Sequence, residues 1–261
     1  MRYKTGVATA IKLQRIMDGV MNRYIYHLKR IVTQVTPILI KYAEERFKSR
    51  LKKAARKKPV FRVSKIRYND VLKRVMRKTV KSITKMAVDS GIDIAAKDVL
   101  GPKQYETINR KFEIESRKLV KEIGDELSGN LSKSLLGKVR RTLKTGTQEG
   151  MSFGDIIKQV HKDLGYYRNY ELERLARTES VRAINKASQW VYRRADNVVG
   201  KMWVTDADPC TEICLPLKNK VIGKNKRFYP GGFTYPPAHP NCRCSIAPVY
   251  GVPEIKESEK K

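Results

Sequence analysis

Five side chains near the C-terminus have the types and spacing to hold a metal ion: Cys210, Cys214, His239, Cys242 and Cys244. All four cysteines of the chain, and one of its three histidines, fall between positions 210 and 244. Thiolates on two short loops suit tetrahedral zinc, because each loop closes a small chelate and the two loops meet at the ion. Cys210-x3-Cys214 is one residue longer than the common zinc knuckle. Cys242-x-Cys244 can close on one ion only where the backbone between them turns tightly, so His239 competes with Cys244 for a place. An all-thiolate site carries two negative charges with the metal, and Lys218, Lys220 and Arg243 lie nearby in sequence to offset them. Structural zinc contributes about 10–16 kcal/mol of apparent binding free energy in small peptides, a term that can hold a short module whose own core is too small. The competing reading is a set of buried, unliganded thiols.

A zinc hydrolase needs an open coordination position and a general base. Glu212 lies between the first two cysteines, but the chain has no His-Glu-x-x-His and no His-x-Glu followed by Pro-Cys-x-x-Cys. Zinc saturated by thiolates leaves no water to activate, so no enzyme is expected. The site residues sit in an ordered set of motifs: Ala176-Arg177-Thr178-Glu179, then Trp203-x-Thr205-x-x-Asp208-x-Cys210, then Pro236-Pro237-x-His239-Pro240-Asn241-Cys242-Arg243-Cys244. This set resembles the head morphogenesis family of tailed bacteriophages, which includes minor head proteins similar to protein F of phage Mu and to the portal-associated minor protein of phage SPP1. The resemblance spans roughly residues 110–250. Family members usually carry C-x2-C where this chain has Cys210-x3-Cys214. Membership implies association with the phage portal, contact with capsid or scaffold proteins, and a place inside the head near the portal, with the host cytoplasm as the site of assembly. It also implies a role in head morphogenesis or DNA packaging and delivery, with Arg177, Thr178, Glu179, Trp203 and Asp208 as structural motif residues.

Lysine and arginine number 56 against 26 acids, a formal net charge of +30. A chain this basic repels itself unless a polyanion neutralises it, and nucleic acid is the usual partner. The excess is uneven: 18 basic residues and three acids lie between Lys41 and Lys85. With so few acids to pair along a helix, a face for double-stranded DNA is a better reading than a solvated one. Its candidate contacts are Lys48, Arg50, Lys52, Lys53, Arg56, Lys57 and Lys58, followed by Lys73, Arg74, Arg77, Lys78 and Lys81.

The elements that carry these groups read as helices for most of the chain. Ile16, Val20, Tyr24, Leu28 and Ile31 recur at helical spacing. Thr36-Pro37 reads as a fresh helix start, and another helix is expected from Asn69. That helix has Leu72, Met76, Val80 and Ile83 on one face and lysines and arginines on the other. Gly101-Pro102 is the expected boundary. Ser152-x-x-Asp155 opens a helix, and a long helix over about 170–195 carries the Arg-Thr-Glu motif. The Tyr166-Tyr167-Arg168-Asn169-Tyr170 cluster reads as a helix junction in preference to a base-stacking platform. From Gly200 the periodicity changes to that of strands, with a hairpin expected around residues 223–226.

The expected fold is mainly α: extended helical N-terminal and central regions with a small C-terminal zinc-stabilised β-containing module. The expected divisions are a basic helical region (1–100), a helical head-morphogenesis region (101–199), the cysteine-rich module (200–250) and a disordered tail (251–261). No run approaches the length of a membrane span, and a reducing compartment favours metal over disulfides. The expected function is that of a phage minor head protein with non-specific DNA binding. A phage-encoded zinc-dependent nuclease or toxin is the alternative, and a cellular DNA-binding regulator is a third possibility.

Overall fold

The computed structural model describes residues 4–54, 68–166, 170–206 and 212–251. It is mainly helical with a small antiparallel sheet. Strand β1 (Lys4–Thr5) precedes α1 (Val7–Ala54) and α2 (Tyr68–Gln148), followed by α3 (Phe153–Tyr166) and α4 (Leu172–Arg194). Three strands complete the sheet: β2 (Val198–Val204), β3 (Val221–Gly223) and β4 (Ser245–Tyr250). Among the described residues, no helix is long and apolar enough to cross a membrane.

Two expected breaks are absent. Helix α1 runs through Thr36-Pro37. The Thr36 hydroxyl donates back to the Val32 carbonyl at 2.7 Å instead of capping a new helix. Pro37 removes one helical donor, but Val35 and Leu39 beside it are fully buried and hold the segment in register. Helix α2 likewise continues through Gly101-Pro102, where the sequence suggested a boundary. Pro102 lacks the N–H that would bond the Asp98 carbonyl. The Tyr250 hydroxyl reaches that carbonyl at 3.5 Å, and the Asn197 amide donates to the next one, Val99, at 2.7 Å.

Contacts therefore group the chain differently from the expected segments. One compact unit comprises the described parts of Met1–Tyr24, Ile83–Lys121 and Arg174–Lys261, and the other those of Ile25–Ser82 and Glu122–Glu173. The expected tail, beyond residue 251, lies outside the described residues.

The first unit holds the sheet, in the order β1-β4-β2-β3 with every neighbour antiparallel. Chain-distant segments close it: Lys4 pairs with Tyr250, while Met202 pairs with Ala247 on one side and Val221 on the other. The expected hairpin around residues 223–226 does not form, because β3 is taken up by β2 and Phe228 bridges Phe233 instead. Trp203 is fully buried and meets Phe228 edge-on at 5.1 Å between ring centroids. Helix α4 packs closely on α2 at Gly91, where an added Cβ would stand 2.7 Å from the Ile184 carbonyl oxygen. Ser188 also donates to the Gly91 carbonyl, at 3.4 Å.

The second unit buries Leu28, Ile31 and Val35 of α1, Leu72, Met76 and Val80 of α2, and Ile156, Val160 and Leu164 of α3. These are helical spacings, and each stripe goes inward as a 3.6-residue period requires. Arg140 donates to the Tyr42 hydroxyl at 2.7 Å, and Tyr42 meets Tyr68 edge-on. The start of α3 forms as expected: the Ser152 hydroxyl accepts from the Asp155 N–H at 3.2 Å and donates to the Asp155 carboxylate at 2.6 Å.

Candidate metal centre

Cys214, Cys242 and Cys244 converge. Their sulfur atoms all lie within 4.8 Å of one another, and all three residues are buried. Each arrives on a local turn. Cys214 precedes the short 3-10 turn Leu215–Leu217, with its carbonyl accepting from the Leu217 N–H at 3.0 Å. Cys242 closes a turn through its N–H to the His239 carbonyl at 3.2 Å. Cys244 stands immediately before β4, whose pairing with β2 fixes its height.

Cys214 and Cys242 are 3.9 Å apart sulfur to sulfur. A disulfide needs about 2.05 Å, and all three thiols are free. Around a tetrahedral ion with Zn–S distances of about 2.3 Å, the sulfur–sulfur edge is about 3.8 Å. The three thiols thus have the chemistry and the spacing of three corners of such a site. Among the described residues His239 does not join them. Its Nδ1 is 2.7 Å from the Pro240 carbonyl oxygen, which makes Nδ1 the protonated nitrogen. The tight turn needed for Cys242 and Cys244 to share one ion is present, so the competition between His239 and Cys244 resolves toward Cys244. Cys210 and Asp208 lie outside the described residues.

The Arg-Thr-Glu motif explains how the turn is held. Asn241 adopts a φ of 65°, in the left-handed region that asparagine tolerates better than most residues. Helix α4 clamps it twice: the Thr178 hydroxyl accepts from the Asn241 N–H at 3.1 Å, and Arg177 Nη1 donates to the Asn241 side-chain oxygen at 3.4 Å. Glu179 points inward, almost wholly buried, and pairs with Arg182 at 3.2 Å. The three consecutive residues face different ways, as helical geometry demands, and two of them meet at one asparagine.

One helical turn further on, Asn185 does comparable work that the sequence did not signal. Its amide donates to the Cys244 carbonyl at 3.2 Å, and its oxygen accepts from the Ile246 N–H at 3.0 Å. A lone asparagine in a helix carries no mark separating this role from a solvent-facing one. Lys201 was missed for the same reason. It is fully buried within β2, donating to Gln189 at 2.8 Å and to the Thr234 carbonyl at 2.7 Å. Burial, with Arg193 adding to it, pushes its pKa down to about 7.

The basic candidates do not gather at this centre. On α2, Arg74, Arg77, Lys78 and Lys81 are exposed and Lys73 is half-buried, opposite the buried Leu72, Met76 and Val80. Lys48 is exposed on α1. The side chains of Arg50, Lys52 and Lys53, and all of Arg56, Lys57 and Lys58, lie outside the described residues. Tyr166 and Tyr170 are 60% and 57% exposed. The expectation of a packed junction is therefore not met at these two rings.

Fold and site together define a helical protein that carries a small sheet with a buried thiol cluster held by its last helix. Residues 137–247 match the family model described as Phage Mu protein F like protein. That match supports the assignment to the phage head morphogenesis family that the motifs indicated, and it encloses Arg177, Thr178, Asn185 and the three clustered cysteines. The basic segment from Lys41 to Lys85 lies outside it. Comparison with curated proteins and with solved structures gives no match.

Proposed function

We propose that this protein is a non-enzymatic minor head protein that associates with the phage portal during head morphogenesis and stays in the virion. The observation that carries this reading is the family match over residues 137–247, which covers the clamp and the thiol cluster together. In this reading the C-terminal sheet is a rigid element of the docking surface. A zinc ion held by Cys214, Cys242 and Cys244, with Cys210 as the candidate fourth ligand, would supply a covalent-strength tie between the two turns. Four thiolates leave the ion no open position, so its role is structural.

The exposed basic face of α2 adds the second half of the proposal. Arg74, Lys78 and Lys81 recur at intervals of four and three, which puts them on one stripe of the helix. Such a stripe suits a run of phosphates and carries no sequence information. We therefore assign it to non-specific contact with the packaged double-stranded DNA. Pull-down of portal assemblies by the full-length protein under nuclease treatment tests the docking claim. Retention at high salt is expected, since apolar contacts are not screened as exposed ion pairs are. Loss of portal on nuclease treatment would show DNA bridging and sink the proposal.

A further inference from the structure

The first unit contains a cleft that neither the metal centre nor the basic stripe uses. It is about 210 Å³ in volume and opens between the first turns of α1 and the start of α4. Three arginines line it, Arg15, Arg177 and Arg243, with two carboxylates, Asp18 and Asp206. The cleft thus holds one surplus positive charge. The Asp206 carboxylate and Arg243 Nη1 are 3.9 Å apart, beyond hydrogen-bond reach. In the same wall the Gln14 Nε2 donor is buried and has no hydrogen-bond partner. Leaving a buried donor unpaired is costly, and an entering acceptor relieves it. The remaining surface is largely apolar, supplied by Met17, Met21 and Val181.

We propose that this cleft is a recognition site for a carboxylate on a short apolar stem, the chemistry of a glutamate side chain on a protein partner. The surplus of a single positive charge matches a monovalent carboxylate better than a divalent phosphate. Guanidinium groups bind carboxylates through paired N–H donors, and the Gln14 amide adds a third donor. The methionines and Val181 offer the stem a surface like that of most small-ligand pockets, apolar with a few convergent polar groups. Duplex DNA fits poorly here, because its phosphates lie on a convex backbone and do not enter a cleft lined by methionines. Arg177 then has two tasks, holding Asn241 with one nitrogen and facing the cleft with the rest of its guanidinium.

Side-chain NMR of the full-length protein, following arginine Nε–Hε resonances, tests this directly. The probe is N-acetylglutamate N-methylamide, with inorganic phosphate and a short DNA duplex as comparison arms. The probe is expected to shift the Arg177 and Arg243 resonances saturably. Arg15→Gln and Gln14→Leu should each weaken it by roughly three-fold or more, and Lys118→Gln should leave it unchanged. Arg15 is exposed, so its replacement keeps the test decisive even if Gln14→Leu misfolds. No saturable shift, or equal affinity in Arg15→Gln, would overturn the proposal. Saturation of the same resonances by phosphate or DNA at lower concentration than the carboxylate would also overturn it.

Discussion

Lys201 should make the stability of the first unit rise with pH. The side chain is fully buried, and its two acceptors, Gln189 Oε1 and the Thr234 carbonyl, match the two N–H groups of a neutral amine. Burial is the main reason its pKa falls to about 7. An unfolded lysine keeps its proton to about pH 10.4. Between these values unfolding takes up a proton, so stability rises with pH by up to about 1.4 kcal/mol per unit. Below pH 7 both states are protonated and the gain is absent. Integrated from pH 7 to pH 9, the contribution is about 2 kcal/mol. The window should stop there, because burial raises the phenol pKa values of Tyr24, Tyr192 and Tyr250. For those groups the stabilisation is lost as pH climbs past the ordinary tyrosine range, which opposes the lysine effect. Urea unfolding followed by tryptophan fluorescence is a suitable assay, since Trp190 and Trp203 are the chain's two tryptophans and both lie in the first unit. Lys201→Met will shift the baseline by leaving two acceptors without a donor. The informative quantity is the slope, to which ionising thiols contribute in both proteins alike. Parallel pH profiles for wild type and Lys201→Met would refute the reasoning.

Protein purified without added metal should carry about one zinc per chain by elemental analysis, and Cys214→Ser or Cys242→Ser should abolish it and unfold the sheet. Comparing Cys210→Ser with His239→Ala in the same measurement identifies the fourth ligand, and the expected loss is at Cys210. Thr178→Val removes one acceptor from the Asn241 turn and should cost about 0.5–1.5 kcal/mol in urea unfolding, with zinc released at lower chelator concentration. Duplex DNA affinity should fall with log salt at a slope of about −0.9 per phosphate contact. Charge reversal at Arg74, Arg77, Lys78 and Lys81 should flatten that slope for all sequences alike, and an unchanged slope would remove α2 from the DNA face.

Local chemistry was legible where a side chain acts on its own neighbours. Ser152-x-x-Asp155 caps α3, and the buried stripe through Leu72, Met76 and Val80 faces inward. The clustering of thiols was also legible, because soft ligands at close spacing leave few alternatives. Helix continuity was not. Thr36-Pro37 and Gly101-Pro102 are strong local breakers, yet packing of Val35 and Leu39, and hydrogen bonds from Tyr250 and Asn197, override them. The sheet was half-legible for a related reason. Strand β2 is marked by its own residues, but β1 gains its place only by pairing with Tyr250 and Val249, and nothing in a lysine and a threonine announces that. Positioning roles followed the same rule: Arg177 and Thr178 stood out by motif, while Asn185 and Lys201 act across large separations that periodicity cannot register.

Cutting the chain at Gly101 would split the first unit, which draws on the described parts of Met1–Tyr24 and Ile83–Lys121 as well as on α4 and the sheet. The central claim is therefore best tested on the intact protein in its assembly. The measurement is quantitative mass spectrometry of DNA-free procapsids, purified at high salt, from phage that carry the portal and from phage that lack it. The protein should be retained in portal-containing procapsids and absent from portal-less ones. Equal amounts in both, or absence from both, would contradict a portal-associated head protein.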